Sequence, residues 1–204
     1  AELVEESYSE RIQAHIVVTS GHDFREDWEL RIPGEHNRYD AALAVEAARA
    51  LYIDDEIIKE ALELFTGVPG RLQLIRTKGG VDFYNDTTAT TPDATLAALR
   101  ALPAGRTILI MGGADKGLDM SELMKEIPIL TKGVLLLAGT GTDRIKKEIK
   151  DTIIYDSVSD AVQAAVEIAE EGDAVVLSPA FASFGMFKNE YDRGDQFDTL
   201  IKKL

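Results

Sequence analysis

The chain has 204 residues, 45% of them apolar, and a formal net charge of -14. Such a length holds one large domain or two small ones with a proper core, and the acidic balance opposes docking on nucleic acid or anionic lipid, although local cations and backbone N–H groups can still hold a nucleotide. The absence of cysteine excludes disulfides, zinc–thiolate sites and thiol nucleophiles; with no signal-like segment and no apolar run near the roughly 18–20 residues that cross a bilayer, a soluble, cytoplasmic protein is expected.

In chain order, Ile16-Val17-Val18 reads as a short buried strand, and Trp28 to Ile32 alternates apolar and polar with the strand period of two. Pro33-Gly34 breaks that pattern. A helix follows with Ala41, Ala42, Val45, Ala48 and Leu51 on one side, then a second helix capped by Asp54 and carrying Ile57, Ile58, Ala61, Leu62 and Phe65. Helices this apolar need more partner surface than the first thirty residues supply, so a larger domain is expected to have been cut here. Thr66 to Gly70, with two glycines and a proline, is the linker candidate.

Beyond the linker, strands alternate with helices. Leu72–Thr77 and Val81–Tyr84 flank Lys78-Gly79-Gly80 as a hairpin. Thr91 caps a helix that runs to Leu102 with Pro92 in its first turn. A buried strand over Thr107–Met111 ends in Gly112-Gly113, and a helix over Ser121–Glu126 leads to a strand over Val134–Leu137. Helix, strand and helix are expected near 142–149, 152–155 and 157–170. Ala174–Leu177 is the last strand, and a polar helix carrying Phe197, Leu200 and Ile201 closes the chain. The fold class is therefore α/β: a Rossmann-like, mostly parallel sheet with helices on both faces. Ligands of such sheets gather at the carboxyl ends of the strands, where the segments after Asn85, Gly112, Gly139 and Ser178 should line one edge.

Two of those segments leave alternatives open. Gly112-Gly113-Ala114-Asp115-Lys116-Gly117 can be a plain tight turn with a solvated lysine, or a loop whose glycines admit a ligand and whose Lys116 meets a carboxylate or phosphate. It lacks Walker A spacing. Asn85 to Pro92 can be a capping segment, or hydroxyls and a carboxylate placed for an anionic substrate, a nucleotide or a metal. Ser178 and Ser183 have no histidine nearby in sequence, which speaks against a nucleophilic serine. His15 and His22 lack metal-site spacing, and Gly139-Thr140-Gly141-Thr142 reads as structural.

Taken in order, these segments resemble the Mur ligase family, and within it the branch that adds glutamate. The residues concerned are Gly34-Glu35-His36-Asn37, Phe65 to Arg71, Asn85-Asp86-Thr87-Thr88-Ala89-Thr90, Gly112-Gly113-x-x-Lys116, and Ser178-Pro179-Ala180-x-Ala182-Ser183-x-x-x-Phe187-Lys188-Asn189 with Arg193-Gly194. The resemblance implies an ATP- and Mg²⁺-dependent ligase of peptidoglycan precursor synthesis, joining D-glutamate to UDP-N-acetylmuramoyl-L-alanine through an acyl phosphate. It also implies three parts: residues 1–66 as a remnant of the central ATP-binding domain, 67–71 as a hinge, and 72–204 as the amino-acid-binding domain. Carried over, Asn37 lies against adenine, Arg71 reaches the ATP phosphates and Asp86 sits on the nucleotide side. Lys116, Thr90 and Thr88, with Ser183 and Phe184, form the glutamate pocket, and Lys116, Arg71 and Asp86 serve catalysis. No metal ligand is expected in this chain, and a monomer is expected.

Three departures stand out. Thr88 replaces the lysine common in the glutamate-adding branch, Asp40 replaces a second asparagine after His36-Asn37, and Glu190 replaces an apolar residue after Asn189. A phosphate loop of the Gly-x-x-Gly-Lys-Ser/Thr type does not occur in the sequence, so the chain alone is expected to be inactive and to need N-terminal and central domains as partners. The alternatives are a non-catalytic nucleotide- or amino-acid-binding module, and a sibling ligase that takes L-glutamate or another acceptor.

Overall fold

Gly79 and Gly80 take φ values of +60° and +76°, the pair of positive angles that a two-residue type I′ turn needs. They join β1 (Gln73–Lys78) to β2 (Val81–Asn85) in an antiparallel hairpin closed by the Lys78–Val81 pair. Four more strands complete a six-stranded sheet: β3 (Thr107–Gly112), β4 (Thr131–Leu137), β5 (Ile154–Tyr155) and β6 (Ala174–Leu177). Their order is β1-β2-β6-β3-β4-β5, parallel throughout except for the hairpin. These positions come from a computed structural model, which describes residues 19, 24–25, 27–149 and 152–204.

Every residue of β3 and β6 is buried, as a parallel sheet covered on both faces requires. The pleat sorts the side chains. Ile108 and Ile110 face one layer with Val175 and Leu177, under α6 (Val158–Ile168) and α7 (Glu190–Lys203). Leu109 and Met111 face the other with Val176, under α3 (Pro92–Ala101) and α4 (Ser121–Leu130). Helix starts follow side-chain chemistry: the Thr91 hydroxyl accepts from Ala94 N–H, Ser157 from Asp160 N–H and the Asn189 amide oxygen from Asp192 N–H. Each such cap is worth about 1 kcal/mol. The expected α/β architecture is observed. The helix expected over 142–149 starts earlier and ends sooner, as α5 (Thr140–Ile145).

The chain divides into two compact units, with the boundary between Phe65 and Thr66. In the first, α1 (Glu35–Ala50) and α2 (Asp55–Leu64) bury Ala41, Ala42, Val45 and Ile58 with Phe24 and Trp28, whose rings meet edge to face. Two expectations fail here. Trp28 to Ile32 alternates in burial as expected but forms bends, not a strand, because no neighbouring strand among the described residues supplies a ladder. Leu51 falls just past the end of α1 and is exposed, as are Ile57 and Phe65. Asp54 occupies the N-cap position of α2, as expected, though without a side-chain capping bond. Ile16-Val17-Val18 lies outside the described residues.

Candidate functional site

Because β2, β6, β3 and β4 run parallel, the loops after them emerge at one edge of the sheet, as expected. The antiparallel β1 starts at that same edge, with Gln73 opposite Asn85. The second unit thus brings Arg71, Asp86, Thr88, Thr90, Lys116, Ser183 and Phe184 to one end of the fold. Asn37 belongs to the first unit, in α1, where its side-chain amide donates to Pro33 O at 2.6 Å.

The glycines of this edge serve backbone approach. Gly112 and Gly113 have φ of +125° and +139°. A Cβ on Gly113 would lie 2.3 Å from Ala182 O, and one on Gly112 would lie 2.3 Å from Leu137 O. Strand ends and loops are therefore knitted together: Ala114 and Ala182 form an antiparallel bridge, and Gly141 N–H donates to Gly113 O at 2.9 Å. At both glycines the side on which a Cβ would project is occupied by protein backbone. Gly139-Thr140-Gly141-Thr142 has the same use, with Thr140 Oγ1 accepting from Asp115 N–H at 3.0 Å.

Lys116 emerges from this knit and is exposed; its ammonium donates to Thr90 Oγ1 at 3.0 Å. The neighbouring Asp115 is paired with Arg144 at 3.0 Å, so its charge is engaged elsewhere. A cation beside a hydroxyl, with backbone N–H groups nearby, suits a carboxylate. Phe184 exposes its ring at the rim, 70% accessible, whereas Ser183 beside it is buried.

Asp86 is buried. Its carboxylate accepts from Ser178 Oγ at 2.7 Å and from Leu72 N–H at 2.9 Å. Burial pushes its pKa up to about 6, against the opposing pull of Ser178, the Leu72 N–H and the Arg71 charge. Ser178 is fully buried, and its hydroxyl lies 3.0 Å from that of Thr95. It is a structural hydroxyl. Thr88 donates both its N–H and its hydroxyl to Gly70 O, at 3.1 and 2.9 Å. Asp86 and Thr88, alternate residues of one loop, thereby hold Leu72 and Gly70 on either side of the exposed Arg71. A turn precedes it, with Pro69 and Gly70 (φ +75°) between Val68 O and Arg71 N–H. Leu72 itself sits at φ +42°, which is uncommon for a branched side chain.

The sequence reading passed over the residues that tie this edge to α7. Asn85 donates to Asp198 Oδ1 at 2.7 Å and to Gly194 O at 3.2 Å. A Cβ on Gly194 would meet Thr87 Cγ2 at 2.6 Å, so only glycine lets the helix approach this closely. Arg193 is wholly buried: Nε donates to Thr87 Oγ1 at 3.1 Å, and its terminal nitrogens donate to Thr87 O at 2.8 Å and Phe181 O at 3.3 Å. Burial pulls its pKa down to about 10. The signals in the sequence are the Arg193-Gly194 pair and the Asn85 and Thr87 positions of the Asn85-to-Thr90 motif, none of which carries an expected role.

Among the described residues no group of three or more His, Cys, Asp or Glu side chains converges to hold a metal ion. No described helix is long and apolar enough to cross a membrane.

Comparison with known proteins narrows the chemistry. Residues 70–181 match the family model described as "Mur ligase, glutamate ligase domain". The UDP-N-acetylmuramoylalanine--D-glutamate ligase of Roseiflexus sp. (strain RS-1) is 40% identical over 197 residues, covering 93% of this chain and 41% of that protein. The ligase of the same name from Streptococcus thermophilus (strain ATCC BAA-491 / LMD-9) is 40% identical over 180 residues, covering 86% of this chain and 40% of that protein. This chain thus spans about two fifths of the length of those relatives. In fold it matches the UDP-N-acetylmuramate-alanine ligase of Thermotoga maritima, with a TM-score of 0.64 at 18% identity over 86% of this chain and 40% of that one.

Proposed function

The chain belongs to the Mur ligase family, and from that premise we propose that it forms part of an ATP-dependent ligase adding D-glutamate to UDP-N-acetylmuramoyl-L-alanine. The observation that carries this reading is the 40% identity, over 93% of the chain, to a relative named for that reaction. The geometry agrees with it: an exposed lysine bonded to Thr90 at the carboxyl edge of the sheet suits an acceptor with two carboxylates.

In this reading residues 1–66 are the end of the ATP-binding domain, 72–204 bind the amino acid, and 67–71 join them. ATP phosphorylates the carboxylate of the precursor: its oxygen attacks the γ-phosphorus and ADP leaves. The amine of glutamate then attacks the activated carbonyl, the C–O bond to phosphate breaks, and the nitrogen loses a proton. Lys116 and Thr90 hold a glutamate carboxylate and aim the amine, with Ser183 and Phe184 closing the pocket; ordering the amine beside the carbonyl is the larger part of what such a site contributes. Arg71 meets the ATP phosphates, kept in place by Asp86 and Thr88 on its flanks. Thr88 donates its hydroxyl hydrogen bond to Gly70 O, so its part is on the linker and the cationic contact rests with Lys116. Asn37 is assigned to the adenine. The described residues offer no cluster of carboxylates for Mg²⁺.

The sequence contains no Gly-x-x-Gly-Lys-Ser/Thr loop, so this chain alone is expected to release no ADP. The test is ligation by the complete protein with ATP, the UDP-linked precursor and each glutamate enantiomer, read as dipeptide product by mass spectrometry. Product with D-glutamate supports the reading. Preference for L-glutamate replaces the acceptor, and nucleotide binding without any ligation turns the reading towards a binding module.

A further inference from the structure

The proposed reaction gives no part to Arg193, the largest of the wholly buried side chains. A guanidinium carries five N–H donors and a permanent charge, and its burial is costly unless both are met. Here three of the donors reach backbone carbonyls and a hydroxyl, and the charge lies against a ring. Thr87 supplies Oγ1 and O, Phe181 supplies O, and the Phe187 ring centroid lies 5.9 Å from Cζ. Thr87 is in the loop after β2, three residues before Thr90. Phe181 is in the loop after β6, two residues before Ser183. Thr87 is also fixed from behind, since its hydroxyl donates to Glu190 O at 2.7 Å.

We propose that Arg193 is a positioning residue for the acceptor: by bonding Thr87 and Phe181 at once, it braces the two loops that carry Thr90 and Ser183 on the α7 side, beyond the Ala180 N–H to Ala89 O and Ser178 to Asp86 bonds that also join them. The planar fork of guanidinium suits this task because it holds donors on three separate nitrogens of one rigid group, whereas the donors of lysine all radiate from a single nitrogen on a flexible stem. The inference rests on the ligase reading above. Arg193 adds the brace from α7, while Asp86 joins the same loops nearer the strand ends through Ser178.

The test uses the complete ligase as wild type and as Arg193→Lys, Thr87→Val and Thr87→Ser, with KM measured separately for D-glutamate and for ATP. Arg193→Lys and Thr87→Val should raise the KM for glutamate about tenfold or more and leave that for ATP within about twofold, and Thr87→Ser, which keeps the hydroxyl, should stay near wild type. If Arg193→Lys does not fold, the Thr87 pair decides. An unchanged KM for glutamate in the folded variants overturns the inference. So does an equal rise for both substrates, which marks general loosening and no effect on the acceptor loops in particular. A wild type that ligates no glutamate overturns the reading of the reaction itself, and the positioning role with it.

Discussion

Replacing Asp86 with asparagine should abolish a pH dependence of stability that the buried carboxylate builds into the fold. The side chain is raised to a pKa of about 6 by burial, against about 3.9 in an unfolded chain. Between those values the folded state holds a proton that the unfolded state has released. Stability therefore falls as pH rises from about 4 to about 6, and is level above that. A difference of about two units, at about 1.4 kcal/mol each, gives a loss of about 3 kcal/mol across the window. Asparagine is neutral throughout and nearly isosteric. Its oxygen can still accept from Leu72 N–H, and the Ser178 hydroxyl can turn to accept from the amide. Urea unfolding of wild type and Asp86→Asn at steps from pH 4 to 8 measures the difference between them, in which the other carboxylates cancel. The variant should gain on wild type by about 3 kcal/mol between the ends of the range. A difference that stays constant with pH would refute the argument, because it would mean that Asp86 titrates alike in the folded and unfolded chains.

Two further outcomes are expected elsewhere in the sheet. Asp173, buried at the amino end of β6, accepts from Lys132 at 2.6 Å, Glu170 N–H at 2.9 Å and Arg106 at 3.0 Å; burial alone would raise its pKa, but these partners outweigh it and hold it below the ordinary range. Asp173→Asn should cost about 2–4 kcal/mol, somewhat less than a fully buried pair because Lys132 and Arg106 still touch water. That contribution is complete above about pH 4 and fades as pH drops through the lower folded pKa, so the variant should match wild type in strong acid; a gap that persists there contradicts the assignment. Gly113→Ala forces a Cβ to 2.3 Å from Ala182 O at φ +139°, and strain with overpacking should cost about 2–5 kcal/mol. Chemical denaturation showing a loss below about 1 kcal/mol would mean that the edge is not closed by backbone contact.

Local rules carried much of the fold in the sequence itself. The unbroken apolar run Ile108 to Met111, the paired glycines after Lys78 and the Thr91-Pro92 start each depend on neighbours within a turn or a strand. Strand, hairpin and helix could therefore be read directly, and the parallel order followed from alternating strands with helices. That order also brought the candidate loops to one edge. The failures lie where a distant partner decides. Trp28 to Ile32 has the alternation of a strand but no neighbouring strand among the described residues to pair with. Leu51 fits the helical stripe and stops one residue outside the helix. Only the tertiary structure placed Lys116 within 3.0 Å of Thr90, 26 positions away, turned Thr88 towards Gly70, and buried Arg193 between two loops. Burial and hydrogen-bond partners are properties of segments that meet after folding, so a side chain's charge or hydroxyl announces its chemistry in the sequence but not which atoms will claim it.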